Sequence, residues 1–484
     1  MALTLRRVDV HLALDPDRGP LSRQIYDQIR DAILDGRLRP GDRLPPTRTL
    51  AVSVGVSRNT VAAAFDHLTG EGFLVGRTGV GTFVSADVRI EPQARPTRAS
   101  PLQVASVWQR QPESVPQLTI GDAAYDFRPG IPDVSRFPFP TWRREVNAAL
   151  RESRLGSTVY AEPAGDPALR QAIARHLAVS RGVRVEPDDV VVTSGVQQAA
   201  TVACQVLVEP GDVVAMEDPG YLPVRRVFEA ARATVVDVPV DEDGIVVDAL
   251  PERARLVYVS PAHQFPLGVV MSLPRRLALL DWAGRAGAAI LEDDYDSDFR
   301  YAGRPVDPLQ ALDGTGRVVY VGSFSKSMLP ILRLGYCVVP SPLAPTFRRA
   351  KFVADWHSPL PSQTALARFI DDGHLSQHIR RTRRVYQERR DRIAAALDSD
   401  LDPWLRRIPT VAGLHLAAVA RSADADRVEG WIVRAAELDV AVQSLRAFAH
   451  SEGGPAGLVI GFGGIPESRI DEGLRRLRRA VSGG

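Results

Sequence analysis

Val318-Val319-Tyr320-Val321-Gly322-Ser323-Phe324-Ser325-Lys326-Ser327-Met328-Leu329-Pro330-Ile331-Leu332-Arg333-Leu334-Gly335-Tyr336 is the stretch around which the rest of the chain is arranged. A strand-like apolar run at 318–321 empties into a Gly/Ser loop that presents one lysine before a second apolar run begins. The chain holds two lysines, Lys326 and Lys351, among many arginines. Arginine cannot replace lysine where an amine must lose its proton and condense with a carbonyl as a Schiff base. A lysine kept among hydroxyls, with Arg333 seven residues on, points to an imine-forming amine beside a phosphate subsite. A solvated loop lysine is the plainer alternative.

Outward from this stretch, short apolar runs at 190–193, 213–217, 234–238, 256–259 and 288–291 alternate with helical patterns, and several are rich in valine. That rhythm predicts an α/β domain with a mostly parallel sheet and helices on both faces. Beyond Pro340 come amphipathic helices, one long and basic around 377–392, then a strand pattern at Leu414-His415-Leu416 and a final strand and helix. These predict a smaller C-terminal lobe.

Three further motifs sit where strands should end. Thr193-Ser194-Gly195-Val196-Gln197-Gln198 follows a strand and opens a helix, so free N–H groups and the helix dipole suit a phosphate; an ordinary strand-to-helix turn reads the same way. Asp218-Pro219-Gly220-Tyr221 places an aromatic ring for stacking. Glu292-Asp293-Asp294-Tyr295 carries more carboxylates than a loop needs. One of them, buried, would hold a pyridinium nitrogen protonated, and a solvated acidic loop is the alternative. All lie at the carboxyl ends of strands, where such sheets bind ligands.

The N-terminal part reads as a separate module. Ile25, Ile29 and Ile33 recur at helical spacing, a short helix spans about 47–53, and Gly55-Val56 turns the chain into a third helix capped by Ser57. Phe73 to Arg77 and Gly81 to Val84 flank Thr78-Gly79-Val80 as a hairpin wing. Two helices about a tight turn make a helix-turn-helix unit. Arg58, Asn59 and Thr60 then stand in the first turn of a recognition helix, with Arg48 and Arg77 within reach of phosphates or the minor groove. A small interaction domain has the same spacing. Between the modules, Pro92, Pro96, Pro101, Pro112 and Pro116 lie among Gln, Ser and Arg, a linker from about 87 to 123 in which Trp108 and its neighbours could dock.

Composition bounds the rest. With 45% hydrophobic and 24% charged residues over 484 positions, the chain can build two or three globular domains. A net charge of +2 leaves any nucleic-acid binding to a local face. Cys204 and Cys337, both in apolar runs, make neither a disulfide framework nor a metal site, which favours a cytoplasmic protein. No signal-peptide core opens the chain and no uncharged run approaches membrane-spanning length.

These motifs carry two resemblances. Pro20-Leu21 through Ile25-Tyr26, 36–45, Val56 to Val61 and Gly79 to Val84 resemble the winged-helix domain of the GntR superfamily. That likeness implies a double-stranded DNA operator as partner, contacted by Arg48, Ser57, Arg58, Asn59, Thr60, Arg77, Thr78 and Gly79. Ser-Phe-Ser-Lys with its following arginine, together with the three strand-end motifs, resembles the fold-type I aminotransferases, which bind pyridoxal 5′-phosphate (PLP). This second likeness implies that Lys326 forms the Schiff base, Asp293 (with Asp294 as the fallback) pairs with the pyridine nitrogen, Tyr295 meets the phenolic oxygen and Tyr221 stacks. It gives the phosphate to Val196, Gln197, Ser323, Ser325 and Arg333. Tyr160 matches the tyrosine that reaches the phosphate of a partner subunit, implying a homodimer. Two departures stand out: His263-Gln264-Phe265-Pro266 replaces an asparagine motif, and Val459 stands where the family places its carboxylate-clamping arginine. The whole arrangement resembles the MocR family of bacterial regulators. The expected domains are 1–86 winged helix, 87–123 linker and 124–484 aminotransferase-like. The expected function is a regulator responding to PLP or an amino-acid-type effector; a working aminotransferase is the alternative.

Overall fold

In the structure, a computed structural model, residues 8, 10, 12–88, 102–112, 123–151, 160–303, 307–451 and 453–483 are described. The first residues, 1–7, and most of the expected linker, Pro92, Pro96, Pro101 and Pro116 included, lie outside them. The chain divides into two units, Met1–Gln103 and Val104–Gly484.

The first unit is built on helix Leu21–Leu34, whose Ile25, Ile29 and Ile33 are wholly buried. Helix Thr47–Val54 ends at Gly55, whose left-handed φ of 71° a side chain would resist. Helix Arg58–Gly70 begins at Ser57, whose Oγ accepts the Thr60 N–H at 3.1 Å, and buries Val61, Phe65 and Leu68 against the first helix. Strand Leu74–Arg77 pairs antiparallel with Gly81–Val84, with Leu74 opposite Val84 and Arg77 opposite Gly81. The tip of this hairpin, Thr78 and Gly79, is exposed.

In the second unit, eight strands form one sheet in the order Val190–Thr193, Gly335–Val338, Val318–Ser323, Ala289–Asp294, Ala254–Val259, Val213–Asp218, Thr234–Asp241, Gly244–Ile245. The five from Val318–Ser323 to Thr234–Asp241 run parallel; Gly335–Val338 is inserted antiparallel, and Gly244–Ile245 closes the far edge. Valines dominate because both faces are covered: one cluster gathers Val191, Val214, Leu256, Leu291, Val319 and Cys337 under helix Val196–Leu207, another Val257, Ile290 and Val318 under helix Leu273–Ala286. The first apolar run of the opening stretch is thus a central strand, and the second is its antiparallel neighbour. Leu405–Arg407, His415–Ala420, Gly457–Gly461 and Gln443–Ser444 make a smaller antiparallel sheet, with helices Ala425–Glu437, Glu467–Ser482 and the long His374–Leu397 packed about it. Ahead of this unit's sheets, the turn Ser106–Gln109 lies beside helix Leu222–Ala230; it docks through buried Val107, while Trp108 stays 61% exposed.

Candidate functional site

The loops at the carboxyl ends of the parallel strands enclose a cavity of about 440 Å³, a size typical of small-molecule sites. Lys326, Asp293, Tyr295, Tyr221, Val196, Gln197, Ser323, Ser325 and Arg333 all line it. Val196, Tyr221, Asp293 and Ser325, distant from one another in sequence, are brought there by one topological fact, the shared direction of the strands that precede their loops.

Lys326 Nζ donates to the carbonyl of Gly130 at 2.7 Å. Gly130 has φ 82°, and a Cβ there would stand 3.0 Å from Nζ, so a glycine is needed to let the backbone approach the amine. Burial holds the Lys326 pKa below its ordinary value, against the pull of Asp296 and Asp293. An amine of this kind gives up its proton more readily than a surface lysine.

Asp293 is buried at the end of its strand. Its Oδ2 accepts from Tyr258 Oη at 2.5 Å, while Oδ1 has no partner among the described residues. Burial pushes the carboxyl up to about 7, and the Tyr258 bond opposes this. An orphaned acceptor facing a cavity is costly unless a ligand donor meets it. Asp294, the fallback, points the other way as the alternation of a strand requires. It pairs with Arg181 at 3.1 Å and accepts from Tyr320 Oη at 2.5 Å. Burial would raise its pKa, but Arg181 and the Ser297 and Tyr320 hydroxyls hold it below the ordinary carboxylate range. It does not line the cavity.

The opposite end is polar in another way. Gly195, φ 93°, precedes helix Val196–Leu207, so the first N–H groups of that helix have no intrahelical acceptor. Arg333, exposed and with φ 51°, donates to the Ser194 carbonyl at 2.5 Å, and a Cβ on Gly195 would come within 3.1 Å of its guanidinium. Ser323 Oγ accepts the Ser325 N–H at 3.1 Å and donates to Ser325 Oγ at 2.9 Å. Hydroxyls, an arginine and a helix N-terminus converge on one spot, an arrangement that suits a phosphate.

Tyr221 sets its ring edge-on to Phe265, centroids 5.8 Å apart; burial pushes its hydroxyl up to about 12. Tyr295 donates to the His263 carbonyl at 2.9 Å and lies 3.1 Å from His263 Nδ1. Tyr160 is 70% exposed, stacks on Trp356 with centroids 4.0 Å apart, and lies outside this chain's cavity.

Several lining or supporting residues had no signal in the sequence. Tyr258 sits in an apolar strand pattern, Gly130 in an unremarked loop, and His415, whose pKa burial drives well below its ordinary value, in a strand of the smaller sheet. His263 and Gln264 stand out in the sequence only as replacements for an asparagine. Neither lines the cavity: His263 Nδ1 meets Asp296 at 3.0 Å, and Gln264 Nε2 donates to the Pro219 carbonyl at 2.8 Å, tying two strand-end loops together. Phe265 and Phe448, centroids 4.8 Å apart, wall the cavity with Leu222 and Pro223. Val459 is fully buried among Leu267, Val269, Ala417 and Leu445 and offers no charge. Of three arginines elsewhere in the chain, Arg136 pairs with Asp133 and Glu467, buried Arg225 pairs with Glu229 and Asp237, and Arg226 lines the cavity.

In the first unit, Arg48, Arg58, Asn59, Arg77, Thr78 and Gly79 are all exposed. The Ser57 and Thr60 hydroxyls bond each other at 2.8 Å, so both serve the helix start, leaving Arg58 and Asn59 to project from it. Arg77 lies over the Phe83 ring at 5.0 Å, which fixes its stem on the wing.

Comparison with known proteins agrees with this geometry. The family described as aminotransferase class I and II matches residues 130–477, and bacterial regulatory proteins of the gntR family match residues 21–84. The chain is 38% identical over 473 residues to the probable rhizopine catabolism regulatory protein MocR of Rhizobium meliloti, covering 97% of this chain and 95% of that one. It is 32% identical over 476 residues to the pyridoxine biosynthesis transcriptional regulator PdxR of Corynebacterium glutamicum, covering 98% and 99%. Among solved structures, the kynurenine aminotransferase of Pyrococcus horikoshii superposes with a TM-score of 0.72 at 26% identity, over 78% of this chain and 97% of that one. The chain therefore belongs to the MocR-type transcription regulators, in which a gntR-family DNA-binding domain precedes a domain of the PLP-dependent class I and II aminotransferase family.

Proposed function

We propose that this regulator binds PLP on Lys326 and that occupancy of the cavity, by PLP or by an amino-acid-type effector reacting with it, sets how a homodimer engages its DNA operator. The observation that carries the reading is the pairing, in one cavity, of a buried amine with an orphaned buried carboxylate oxygen, Asp293 Oδ1, across from a phosphate-shaped set of donors. The residues present fit the cofactor. Bound there, PLP supplies an aldehyde for an amine and a ring that withdraws electrons when its nitrogen is protonated. Asp293 Oδ1 holds that proton at the ring nitrogen. Lys326 Nζ loses its own proton readily because burial disfavours the ammonium. Val196 and Gln197 N–H groups, Ser323, Ser325 and Arg333 would bind the phosphate, Tyr221 would wall the ring, and the Tyr295 hydroxyl, turned from the His263 carbonyl, would donate toward its phenolic edge. Phe265 and Phe448 keep water from the effector side. Tyr160, exposed on Trp356, is offered to the partner's phosphate.

Regulation rather than turnover is supported by Val459, since the C-terminal strand carries no cation for a substrate carboxylate. In this reading residues 1–86 bind DNA through Arg58 and Asn59 at base edges and Arg48, Arg77, Thr78 and Gly79 along the backbone, 87–123 link, and 124–484 sense. An effector carboxylate would meet Arg226, which lines the cavity. Borohydride treatment of the PLP-incubated protein, followed by peptide mass spectrometry, should place the cofactor on Lys326 and find none on the Lys326→Ala variant. Cofactor trapped on Lys351 would refute the assignment, and sustained turnover of an amino donor with a keto acceptor would favour the enzyme reading.

A further inference from the structure

The second lysine of the chain lies behind the phosphate-facing loop. Lys351 is fully buried on helix Ala344–Asp355 and lines no part of the cavity. Its ammonium pairs with Asp355, one helical turn on, and donates to Ser358 Oγ at 3.3 Å. Ser358 Oγ shares a hydrogen bond with Ser194 Oγ at 3.2 Å. The Ser194 N–H donates to Gln198 Oε1 at 2.8 Å, and Gln198 Nε2 donates to Asp355 at 2.7 Å. Lys351, Ser358, Ser194, Gln198 and Asp355 thus close a ring of hydrogen bonds. On its other side Ser194 gives its carbonyl to Arg333 Nη2 at 2.5 Å. Ser194 is therefore held from two directions, and Gly195, Val196 and Gln197 follow it directly.

A buried ammonium is expensive unless paired and hydrogen-bonded, and an apolar side chain would fill the same space more cheaply. A compact ammonium with rotatable donors can serve Asp355 and Ser358 together, where a planar guanidinium presents a fixed fork. We propose that Lys351 is a positioning residue for phosphate recognition: through Ser358 and through Asp355 and Gln198 it holds Ser194, and with it the first helical N–H groups and Arg333, in the arrangement that receives a phosphate dianion. The inference rests on the reading of the cavity as a PLP site.

The test uses the full chain freed of cofactor, with PLP and pyridoxal as probes, since the two share aldehyde and ring and differ in the phosphate. Lys351→Met keeps length and loses the donors. It should weaken PLP about tenfold and leave pyridoxal unchanged, so that the preference for PLP falls about tenfold, the scale set by one broken buried hydrogen-bond set. Ser358→Ala removes a single link with little volume; it should lower the same preference by about threefold and decides the matter if Lys351→Met does not fold. An unchanged preference in the folded variants, or equal loss of both ligands, overturns the role of Lys351 alone. A wild-type chain with no preference for PLP over pyridoxal overturns the cavity reading as well.

Discussion

Asp293→Asn should stabilise the cofactor-free protein and impair it as a cofactor binder. Asparagine is isosteric, and its carbonyl can keep the bond from Tyr258 Oη that Asp293 Oδ2 accepts at 2.5 Å. What changes is the charge. In the folded cofactor-free chain burial lifts the Asp293 carboxyl from its ordinary 3.8 to about 7. The folded state therefore keeps the proton at pH values where the unfolded chain has released it, and the stability this confers is complete below about 3.8 and is lost as pH rises through about 7. At about 1.4 kcal/mol for each tenfold change in a proton equilibrium, the loss reaches at most about 4 kcal/mol above neutrality. Asparagine escapes it, so urea unfolding should show the variant gaining on the wild type between pH 5 and 8, toward a ceiling of about 4 kcal/mol. Glu292, also pushed up to about 7 by burial, remains in both proteins and cancels in the difference; Glu217, likewise pushed up to about 7 chiefly by burial, is raised in lesser part by the Asp293 charge, so its own loss shrinks in the variant and adds to the gain. Cofactor should reverse the order, because the ring nitrogen meets Oδ1 in the wild type and an amide N–H in the variant. A constant stability difference across this pH range, or unaltered PLP affinity in the variant, would refute the role given to Asp293.

Two further perturbations probe the first unit. Arg58→Ala should cost about 1–3 kcal/mol on a selected duplex and relax its sequence preference, whereas Arg77→Ala should weaken selected and random duplexes alike and lower the salt slope by about one. Band-shift titrations at two salt concentrations separate the pair, and equal weakening on both duplexes by Arg58→Ala would reassign it to a phosphate. Ser57→Ala removes the cap that accepts the Thr60 N–H, and should cost helix Arg58–Gly70 about 1 kcal/mol, read as faster amide exchange in its first turn; unchanged exchange there would show that the cap is dispensable.

The sequence made legible what is local. Valine runs followed by Gly, Ser or Asp are strands with loops at their carboxyl ends, and once the strands are parallel those loops share one edge; Lys326, Asp293, Tyr221 and Val196 could be read together for that reason. The choice between Asp293 and Asp294 was open to the period of a strand, one facing the cavity and the other Arg181. Gly335–Val338 was harder, because nothing in a second apolar run says that it turns back antiparallel beside the first. Contacts made by tertiary packing left no trace at all. Tyr258 under Asp293, His263 on Asp296 and Lys351 joined through Ser358 to Ser194 each unite residues 7 to 164 apart, and no local pattern links one partner to the other. Val459 stands out in the sequence for the charge it lacks, and the structure adds only that its neighbours are apolar.

The central claim is that what occupies Lys326's cavity governs DNA binding. Its most direct measurement is the affinity of the full chain for a duplex it has itself selected from a random pool, taken without cofactor, with PLP, and with PLP plus a panel of amino acids, beside Lys326→Ala. The account predicts that affinity or the oligomer bound changes with PLP or with one of the amino acids in the wild type, and that the Lys326→Ala chain binds DNA without that response. Identical DNA binding by the wild type under every condition, with cofactor shown to be bound, would contradict it.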